Sequence, residues 1–394
     1  MDFWYILYFV DWLLFIGVAA TILYFFVFST IGLFYHGNRP IPAAKQQRRI
    51  IVLIPAYKKD KTIEVAVRSV LAQTYPQRLF DLIVISDHQS EMTNMKLAQQ
   101  PITLLTPNFQ QSSKIKSLQF ALLNLPQYKI YDMCVILDAD CIVEPEFLQQ
   151  INDAFENAST KALQTHVLPK NMNTPAARLD SVYGEINHSV FRRGHVTIGM
   201  SSAIGGSGCA YDFSWYKENI FTITGGTGEK ELEARLLRQQ IFIDYYDNIY
   251  VYDEKTTDDV ELNKLRGRWA VSQFKTMINN IRYLPGALLN QQFDWADKLI
   301  QWMLIPRTIL VIITAVMSVI LPFIYFSLVI KWWIAAFFMG LSFAFATPNE
   351  LVDKHWDTDF LTLPLRLLHR LPGLRNIRIP EIHLPKINLK HFIK

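Results

Sequence analysis

The stretch at residues 131–144 reads YDMCVILDADCIVE, and it decides the fold class. Its apolar run, residues 133–137, has the length and β-branched content of a buried strand, although a run this short could also be helical. Residues two apart in a strand point to the same side, so Asp138 and Asp140 would project together from its carboxyl end. Ligands bind at that edge of open α/β sheets. Two neighbouring carboxylates favour a divalent cation holding a diphosphate, and a surface turn is the competing interpretation.

Strands and helices alternate along the chain around this stretch. Residues 50–54 read as a buried strand that ends at Pro55-Ala56-Tyr57, and the apolar run 82–85 ends at Asp87. Amphipathic helical patterns lie between the strands, at residues 62–73 and 114–125. This alternation predicts an α/β fold with a mixed, mainly parallel sheet. Asp87 and Asp138 would then lie at one edge of the sheet, which suggests a nucleotide site.

An apolar segment near the amino end predicts a membrane helix. The chain has 394 residues, of which 51% are hydrophobic, and its mean hydropathy of +0.13 is high for a soluble protein. Residues 12–35 carry no charge and are long enough to span a bilayer. A signal peptide is disfavoured because Asp2 precedes the run and no basic segment does. Asp11, Trp12 and Tyr35 are expected at the ends of the span, near the lipid headgroups.

A second apolar region, residues 308–347, is interrupted by Lys331. We interpret it as a hairpin of two spans that turns near Lys331. One span followed by a re-entrant or interfacial helix is the alternative, because residues 332–347 are short for a span. Just before this region, Trp295 and Trp302 favour the headgroup layer and predict an interfacial helix that leads into the hairpin.

Positive charge is concentrated next to the apolar segments. The basic residues concerned are Arg39, Lys45, Arg48 and Arg49 after the first span, and Lys354, Arg366, Arg370, Arg375, Arg378, Lys386, Lys390 and Lys394 after the hairpin. The positive-inside rule assigns both groups, and the region between the spans, to the cytoplasm. We therefore attribute the net charge of +4 to the membrane face. No cluster of basic and aromatic residues indicates a nucleic-acid partner.

These features predict a large cytoplasmic domain held at a membrane. The predicted parts are an N-terminal transmembrane helix (1–36), a linker (37–49), an α/β domain (50–285), an interfacial helix (286–307), a transmembrane hairpin (308–348) and a cytoplasmic, amphipathic basic tail (349–394). The cysteines lack metal-site spacing and are expected to be free and partly buried: Cys134, Cys141 and Cys209.

Seven short motifs carry a resemblance to a known family. IPAYKKD, SVLAQTYP, VISDHQS, ILDADCIVEP, GGSGCAYD, EKELEARLL and RGRW occur in the order and spacing of family 2 glycosyltransferases, over residues 50–307. More narrowly, the chain resembles membrane-bound bacterial enzymes related to cellulose and hyaluronan synthases. The resemblance implies a GT-A fold, a UDP-sugar donor, a Mg²⁺ or Mn²⁺ cofactor and inversion at the anomeric carbon. It also implies a multi-pass protein of the inner membrane with a cytoplasmic catalytic domain.

The resemblance implies a donor site at the ends of the first two strands. Asp87 would bind the uracil or the ribose of the donor, beside Pro55 and Tyr57. Lys114 would contact the diphosphate from the start of a helix. A turn aspartate and a solvated lysine at a helix end are the plainer alternatives.

The same resemblance assigns the metal ligand and the general base. Asp138 would contact the ribose or the sugar, and Asp140 would ligate the metal, which neutralises charge on the leaving group. Glu229, at the start of the helical pattern 229–240, stands where relatives usually carry a catalytic Asp. Glu231 is the competing base, and acids in a first helical turn are also favoured simply by the helix dipole.

Glycines suggest where backbone lines the acceptor site. The cluster at residues 205–208 resembles the loop that lines the donor-sugar and acceptor pocket, through Gly206, Ser207 and Gly208. It lacks the GK[ST] continuation of a P-loop. A second glycine run, residues 225–228, leads into the helix of the proposed base. His166, which follows another short strand, is interpreted as structural.

The RGRW motif resembles the Gln-x-x-Arg-Trp motif of processive synthases. Arg268 could hold the diphosphate, and Trp269 could stack on an acceptor sugar. Leu265 stands where the motif has Gln, which puts processivity in doubt. An amphipathic helix lying on the membrane is the alternative interpretation of this segment.

The leading hypothesis is an inverting, metal-dependent transferase that moves a sugar from a UDP-sugar to an acceptor hydroxyl at the cytoplasmic membrane face. The setting would be exopolysaccharide or other cell-surface glycan synthesis, with a glycan as acceptor. Transfer of a single sugar to a lipid acceptor is the alternative within the enzyme class. A non-catalytic subunit that binds a nucleotide sugar is the alternative of another class. A homo-oligomer or partner subunits would be compatible with either.

Overall fold

The computed structural model describes residues 3–35, 41–126, 128–158, 160–223 and 228–348, which form two compact units. The apolar unit comprises residues 3–26 and 305–348, and the α/β unit comprises residues 27–304. The sequence predictions that fall wholly or partly on other residues lie outside the described part to that extent: residues 1, 2 and 36 of the N-terminal helix, residues 37–40 of the linker, residues 225–227 of the second glycine run, and the basic tail at 349–394.

A single sheet organises the α/β unit. Its strands are β1 (Ile50–Tyr57), β2 (Phe80–Asp87), β3 (Thr103–Leu105), β4 (Met133–Ile136), β5 (Cys141–Val143), β6 (Ala162–Pro169), β7 (Cys209–Asp212) and β8 (Ile243–Asp253). Their order across the sheet is β3-β2-β1-β4-β7-β6-β8-β5. β1 to β4 run parallel, whereas β7 is antiparallel to both of its neighbours. The predicted mixed α/β fold is confirmed.

Helices flank the sheet and continue into the apolar unit. In chain order they are α1 (Phe3–Gly32), α2 (Ile63–Leu71), α3 (Glu91–Ala98), α4 (Lys114–Leu123), α5 (Phe147–Ala158), α6 (Pro175–His188), α7 (Gly194–Thr197), α8 (Phe213–Ile220), α9 (Gly228–Arg238), α10 (Asp259–Asn280), α11 (Leu284–Leu289), α12 (Phe293–Met303), α13 (Arg307–Ile324) and α14 (Val329–Ala346). A π-helical segment, Ser189–Arg193, joins α6 to α7. The predicted helices at 62–73, 114–125 and 229–240 correspond to α2, α4 and α9.

The apolar run of β1 is buried on both faces of the sheet. Ile51 and Leu53 enter a core shared with α4, α8 and α9, whereas Ile50 and Val52 enter a second core shared with α2 and α5. Strands covered on both faces read as continuous apolar runs, which is why the sequence shows no polar alternation here. β4 lies beside β1 and is equally buried, so the sheet centre is apolar throughout.

The carboxyl ends of β1, β2 and β4 share one edge of the sheet because the three strands are parallel. One boundary differs from the sequence prediction. β1 does not end at residue 54 but includes Pro55-Ala56-Tyr57, which align with Ile85, Ser86 and Asp87 of β2. Tyr57 therefore lies directly beside Asp87, at the edge where the predicted site residues converge.

The apolar unit contains helices that could cross a membrane. By length and composition, three described segments qualify: Tyr5–Gly32, Arg307–Ile324 and Phe326–Ala346. The predicted pair of C-terminal helices is present, but its predicted turn is misplaced. α13 ends at Ile324 and α14 begins at Val329, so Lys331 lies in the first turn of α14 rather than between the helices.

Lys331 pairs with an acid that the sequence prediction left outside the first span. α1 begins at Phe3, so Asp11 lies within the helix and is buried. Lys331 Nζ donates to Asp11 Oδ2, and Trp332 Nε1 donates to Asp11 Oδ1 at 2.8 Å. Charged side chains inside apolar helices are costly unless paired. This pairing accounts for both charges and corrects the expectation that Asp11 marks an interfacial end.

Helix α12 also differs from its prediction. Trp295 and Trp302 are buried in the core of the α/β unit, with their ring centroids 5.7 Å apart, so neither faces a headgroup layer. The exposed large apolar side chains of α12 are those of Phe293, Ile300 and Met303. The prediction for the two tryptophans is therefore wrong, and α12 belongs to the body of the α/β unit.

Candidate active site

Asp87 is a buried acid with a free acceptor atom. It ends β2, and its Oδ1 contacts His88 Nδ1 at 2.5 Å. Its Oδ2 is buried and has no hydrogen-bond partner among the described residues. Tyr57, half exposed, contacts the His88 ring edge-on at 5.7 Å between centroids. A buried acceptor without a partner is costly, so this position suits a ligand that donates a hydrogen bond.

Lys114 contacts three groups that are far apart in the sequence: Asp138, Glu229 and Gly206. Its Nζ lies 2.6 Å from Asp138 Oδ1 and 2.9 Å from Glu229 Oε1, and it also donates to the Gly206 carbonyl. Lys114 is the first residue of α4, whose amino end is capped by Ser113. One ammonium group thus brings together the strand end, the first turn of α9 and the glycine loop.

The charged groups of this cluster shift one another's pKa values. Desolvation, together with Asp140 and Glu229, raises the pKa of Asp138 to about 6, although Lys114 opposes the shift. Lys114 lowers the pKa of Glu229, so this carboxylate is ionised at neutral pH. Burial alone would lower the pKa of Lys114, but the two carboxylates raise it. Two acids and one base in contact form a site that can hold a proton or accept one.

Asp140 forms its own contacts with a different set of groups. It forms an ion pair with Lys59, Nζ to Oδ2 at 2.7 Å. One ligand atom from each of Asp140, Cys141 and Asp253 lies within 4.8 Å of the others, so the three could hold a metal ion. Asp253 ends β8 and is aligned with Cys141 of β5.

The donor set of this group fits a hard divalent cation through its two carboxylates. Mg²⁺ and Mn²⁺ prefer oxygen ligands, which Asp140 and Asp253 supply. Burial raises the pKa of the Cys141 thiol well above its ordinary value, so the sulfur stays protonated and is a poor ligand. Its Sγ instead donates to Asp253 Oδ1 at 3.7 Å. Cys141 was correctly expected to be free.

The glycine loop, defined here as residues 201–208, faces the cluster at Gly206. A Cβ atom at this position would lie 3.3 Å from Glu229 Oε1 and 3.4 Å from Asp138 Oδ2, so a larger residue would crowd both carboxylates. Gly208 has φ +69°, and a Cβ there would collide with Thr165 Oγ1. Ser207 Oγ accepts the Asp138 amide at 3.1 Å. The loop therefore approaches the acids with its backbone.

Gln164 binds the backbone of this loop, a role that the sequence did not predict. Its side-chain oxygen accepts the Gly205 amide at 2.6 Å, and its Nε2 donates to the Ser207 carbonyl at 2.9 Å. It is fully buried in β6. Gln164 is one of three consecutive polar residues in β6, with Thr165 and His166, so the strand did not single it out, and its partners lie 41 and 43 residues away along the chain.

The fold and the cluster agree with an independent match of the sequence. A family model described as glycosyltransferase like family 2 matches residues 47–272, more than half of the chain. The chain belongs to the family 2 glycosyltransferases. It is therefore a glycosyltransferase with a fold of the GT-A type, as the sequence motifs indicated.

Solved structures offer only distant likenesses to this glycosyltransferase. The mannosyltransferase PcManGT from Pyrobaculum calidifontis, in complex with GDP-Man and Mn²⁺, has 11% sequence identity and a TM-score of 0.47, and the match covers 89% of this chain and 99% of that one. S. aureus TarS, residues 1–349, has 13% identity and a TM-score of 0.42, with 81% of this chain and 90% of that one covered. No protein of curated function matches the sequence.

Two predicted residues of the glycosyltransferase stand apart from the cluster. Arg268 is exposed on α10, and within the described part of the chain it forms no ion pair. Trp269 is 47% exposed and stacks on Tyr183 at 6.3 Å between centroids. Neither side chain hydrogen-bonds to the acids of the cluster, so their roles on diphosphate and acceptor stay predictions.

His166 has the structural surroundings that the sequence suggested. It is buried between two acids, with Nε2 bound to Glu185 and Nδ1 3.1 Å from Asp247 Oδ1. Burial opposes protonation, but hydrogen bonds to Asp247 and Glu185 raise the pKa of His166 to about 9. Arg193 completes the group by binding Glu185 Oε2 at 2.6 Å. These ion pairs join β6, α6 and β8 beneath the glycine loop.

Proposed function

We propose that this enzyme transfers a sugar from a UDP-sugar to an acceptor hydroxyl, with inversion at the anomeric carbon and a divalent metal ion. The observation that carries the proposal is the contact of Lys114 with both Asp138 and Glu229, against the Gly206 backbone. It supports a donor side and a base side that meet at Lys114. The remaining assignments follow from that arrangement.

The nucleotide is assigned to the edge formed by β1 and β2. Asp87 Oδ2 is a buried acceptor that needs a donor, and a uracil N–H or a ribose hydroxyl supplies one. Tyr57 offers an exposed ring beside it, and Pro55 shapes the strand end. Lys114 is the cation nearest to the expected diphosphate.

Glu229 is assigned as the general base. It takes the proton of the acceptor hydroxyl while that oxygen attacks the anomeric carbon from the face opposite the diphosphate. The new C–O bond forms as the old one breaks, and UDP leaves with the electron pair of the broken bond. A single displacement of this kind inverts the carbon. Because Lys114 lowers the pKa of Glu229, this carboxylate is ionised at neutral pH and able to accept a proton. Glu231 makes no contact with Lys114 in the described structure, which favours Glu229.

The metal is assigned to Asp140 and Asp253. When bound, the ion would neutralise charge on the departing diphosphate. Each carboxylate forms an ion pair with a lysine. Lys59 Nζ lies 2.7 Å from Asp140 Oδ2, and Lys255 Nζ lies 2.9 Å from Asp253 Oδ2. Asp138, which contacts Lys114 rather than Lys59, is assigned to the ribose or the sugar.

The membrane setting is proposed from the sequence and from the three long apolar helices. We assign α1, α13 and α14 to the inner membrane and the catalytic domain to its cytoplasmic face, in line with the basic residues beside the spans. The domain division of the sequence is kept with one change, since α12 joins the catalytic body. The acceptor would be a growing surface glycan or exopolysaccharide. A lipid that receives one sugar is the alternative, favoured by Leu265 in place of Gln.

A donor screen tests the proposal. Membranes containing the full chain would be incubated with radiolabelled UDP-glucose, UDP-galactose, UDP-N-acetylglucosamine and UDP-glucuronic acid, and with GDP-mannose for comparison. We expect transfer from one UDP-sugar, its loss with EDTA, and its recovery with Mn²⁺ or Mg²⁺. Glu229→Gln should lower transfer by about 10²- to 10⁴-fold. The matched variant Glu231→Gln should retain it.

Two results would contradict the assignments. Transfer from GDP-mannose alone would contradict the assignment of a UDP-sugar as donor. Unimpaired transfer by Glu229→Gln would contradict the assignment of Glu229 as the base. The size of the labelled product decides the acceptor, because a polymer and a single-sugar lipid separate readily by chromatography and mass analysis.

A further inference from the structure

A buried ion pair lies behind the proposed base. Lys298 of α12 and Glu233 of α9 meet at 2.9 Å, Nζ to Oε1, and their side chains are only 3% and 5% exposed. The same Glu233 oxygen accepts the Ile204 amide of the glycine loop at 2.9 Å. Lys298 also donates to Gln301 Oε1 at 2.6 Å. One carboxylate thus binds a neighbouring helix and the loop while belonging to the helix that carries Glu229.

The spacing along α9 links this pair to the chemistry. Glu233 is four residues after Glu229, so the two lie on the same side of the helix, one turn apart. Ile204 is two residues before Gly206, where a Cβ would lie 3.3 Å from Glu229 Oε1. The Glu233–Ile204 hydrogen bond therefore connects the base helix to the part of the loop that faces the base. A shift of either element would change that separation.

Helix α12 binds the loop at a second point. Asp294 Oδ2 accepts the Ser201 amide at 3.2 Å and the Ser201 hydroxyl. The polar side of α12 is thus directed into the catalytic domain, while its tryptophans enter the core. Buried ion pairs are weak evidence for stability, since apolar residues of similar size often stabilise as well. Fixing a geometry is the use that this pair's contacts support.

We infer that Glu233 and Lys298 are positioning residues, which hold the base helix at a fixed distance from the glycine loop. The inference rests on the proposed role of Glu229 as base. Neither residue touches the nucleotide edge formed by Tyr57 and Asp87. Loss of the pair should therefore slow transfer to the acceptor without weakening nucleotide binding.

The test uses the full-length enzyme in detergent, with the UDP-sugar that the wild type transfers fastest. Lys298→Met alone would leave an unpaired buried carboxylate and could unfold the protein, so the main variant is Glu233→Met/Lys298→Met, which buries no charge. We expect its kcat to fall about 10- to 100-fold, since misplacement of about 1 Å can cost that much. Its Kd for UDP should stay within about twofold of wild type.

Two further variants separate positioning from general damage. Glu233→Gln/Lys298→Met keeps an oxygen for the Ile204 amide, and should recover part of the lost kcat. The control Arg48→Met/Glu156→Gln removes an ion pair of 2.6 Å between two residues outside the loop. It should leave kcat unchanged. A wild-type kcat in the double methionine variant would overturn the inference. A parallel loss of UDP affinity would also overturn it.

Hydrogen exchange gives a readout that does not depend on activity. In the double methionine variant, the amides of residues 201–208 should exchange about tenfold faster than in wild type, because the Ile204 amide has lost its partner. Unchanged exchange would overturn the inference. If the wild type transfers sugar from no UDP donor, the proposed function fails, and this exchange measurement still decides whether the pair fixes the loop.

Discussion

The two sides of the proposed site hold their polar groups in opposite ways. On one side, called the donor edge here, are the acids Asp138, Asp140 and Asp253. Asp140 and Asp138 are paired with Lys59 and Lys114, whose side chains are 45% and 27% exposed respectively. On the loop side, the groups that bind the backbone are buried, as with Gln164 and Glu233. Exposed pairs contribute little and exchange partners readily, whereas buried ones are expensive to break. The donor edge is suited to exchanging its partners for a ligand, and the loop is suited to staying still.

This difference explains why the loop can be built from glycines. A run such as Gly205-Gly206-Ser207-Gly208 has high conformational freedom in an unfolded chain. Its amides and carbonyls are nevertheless bound in the folded state, by Gln164 at Gly205 and Ser207 and by Thr165 at Gly208. The backbone can therefore approach the acids closely without becoming mobile.

The largest effect is expected on the donor edge, from Asp253→Asn. If Asp253 is a metal ligand, the substitution should raise the Mn²⁺ concentration for half-maximal transfer by at least about 10- to 100-fold. A Mn²⁺ titration of sugar transfer measures this. Glu254→Gln is the matched control, because Glu254 pairs with Lys170 at 3.4 Å and is not in the group of possible ligands. An unchanged Mn²⁺ requirement in Asp253→Asn would leave Asp140 without its proposed partner.

An intermediate effect is expected on the loop side, from Gln164→Leu. The substitution leaves the Gly205 amide and the Ser207 carbonyl unpaired, at about 1–3 kcal/mol for each buried group. We expect a lower melting temperature together with a roughly tenfold lower kcat, because the loop beside Glu229 shifts. Gln119→Leu removes two hydrogen bonds to backbone carbonyls at Ile220 and Ile223, outside the loop, and serves as control. Its stability should fall while its kcat does not. Equal losses of kcat in Gln164→Leu and Gln119→Leu would show that the loop side has no special effect on catalysis.

The smallest effect concerns pH and the buried ion pairs beside the loop. His166 has a pKa of about 9 in the folded protein, above its ordinary value of 6.5, because it contacts Glu185 and Asp247. Its stabilising contribution is fully present below pH 6.5 and is lost as the pH rises through about 9. The free energy of unfolding should therefore fall by at most about 1.4 kcal/mol per pH unit over this window.

Denaturant unfolding of wild type and His166→Gln at pH 6.5, 8 and 9.5 measures this contribution. The difference in unfolding free energy between the two proteins should shrink as the pH rises. Lys59→Met removes an exposed pair on the donor edge, and its stability difference from wild type should stay nearly constant over the same range. A constant difference for His166→Gln would show that the buried pairs are not linked to pH.

The sequence was most informative where one strand carries its own signal. β1, β2 and β4 each contain a continuous apolar run, and two of these runs are followed by Asp87 and Asp138, so the sheet and the shared edge of these strands could be predicted. Asp253 ends β8 in the same way but was missed. β8 alternates polar and apolar residues, and its pairing with β5 across the sheet from β4 depends on long-range topology.

The failures share a physical cause. A one-dimensional pattern shows that a face is apolar but not what covers it, and so α12 fits a membrane surface and a protein core equally well. The same limit hid Gln164 and Glu233, whose partners are 41 and 29 residues away along the chain. Glu229 was singled out through the family resemblance, because it stands where relatives usually carry a catalytic Asp. Its ion pair with Lys114 could not be predicted from the sequence.

The pairing of Asp11 with Lys331 has a consequence for biogenesis. The two residues are 320 positions apart, so the first helix is synthesised long before its partner exists. Until α14 has been synthesised, the carboxylate of Asp11 lacks the ammonium group of Lys331, which is costly in apolar surroundings. Lys331 and Trp332 therefore become available only after the whole α/β unit has been synthesised. A chain that stops earlier keeps Asp11 without either of these partners.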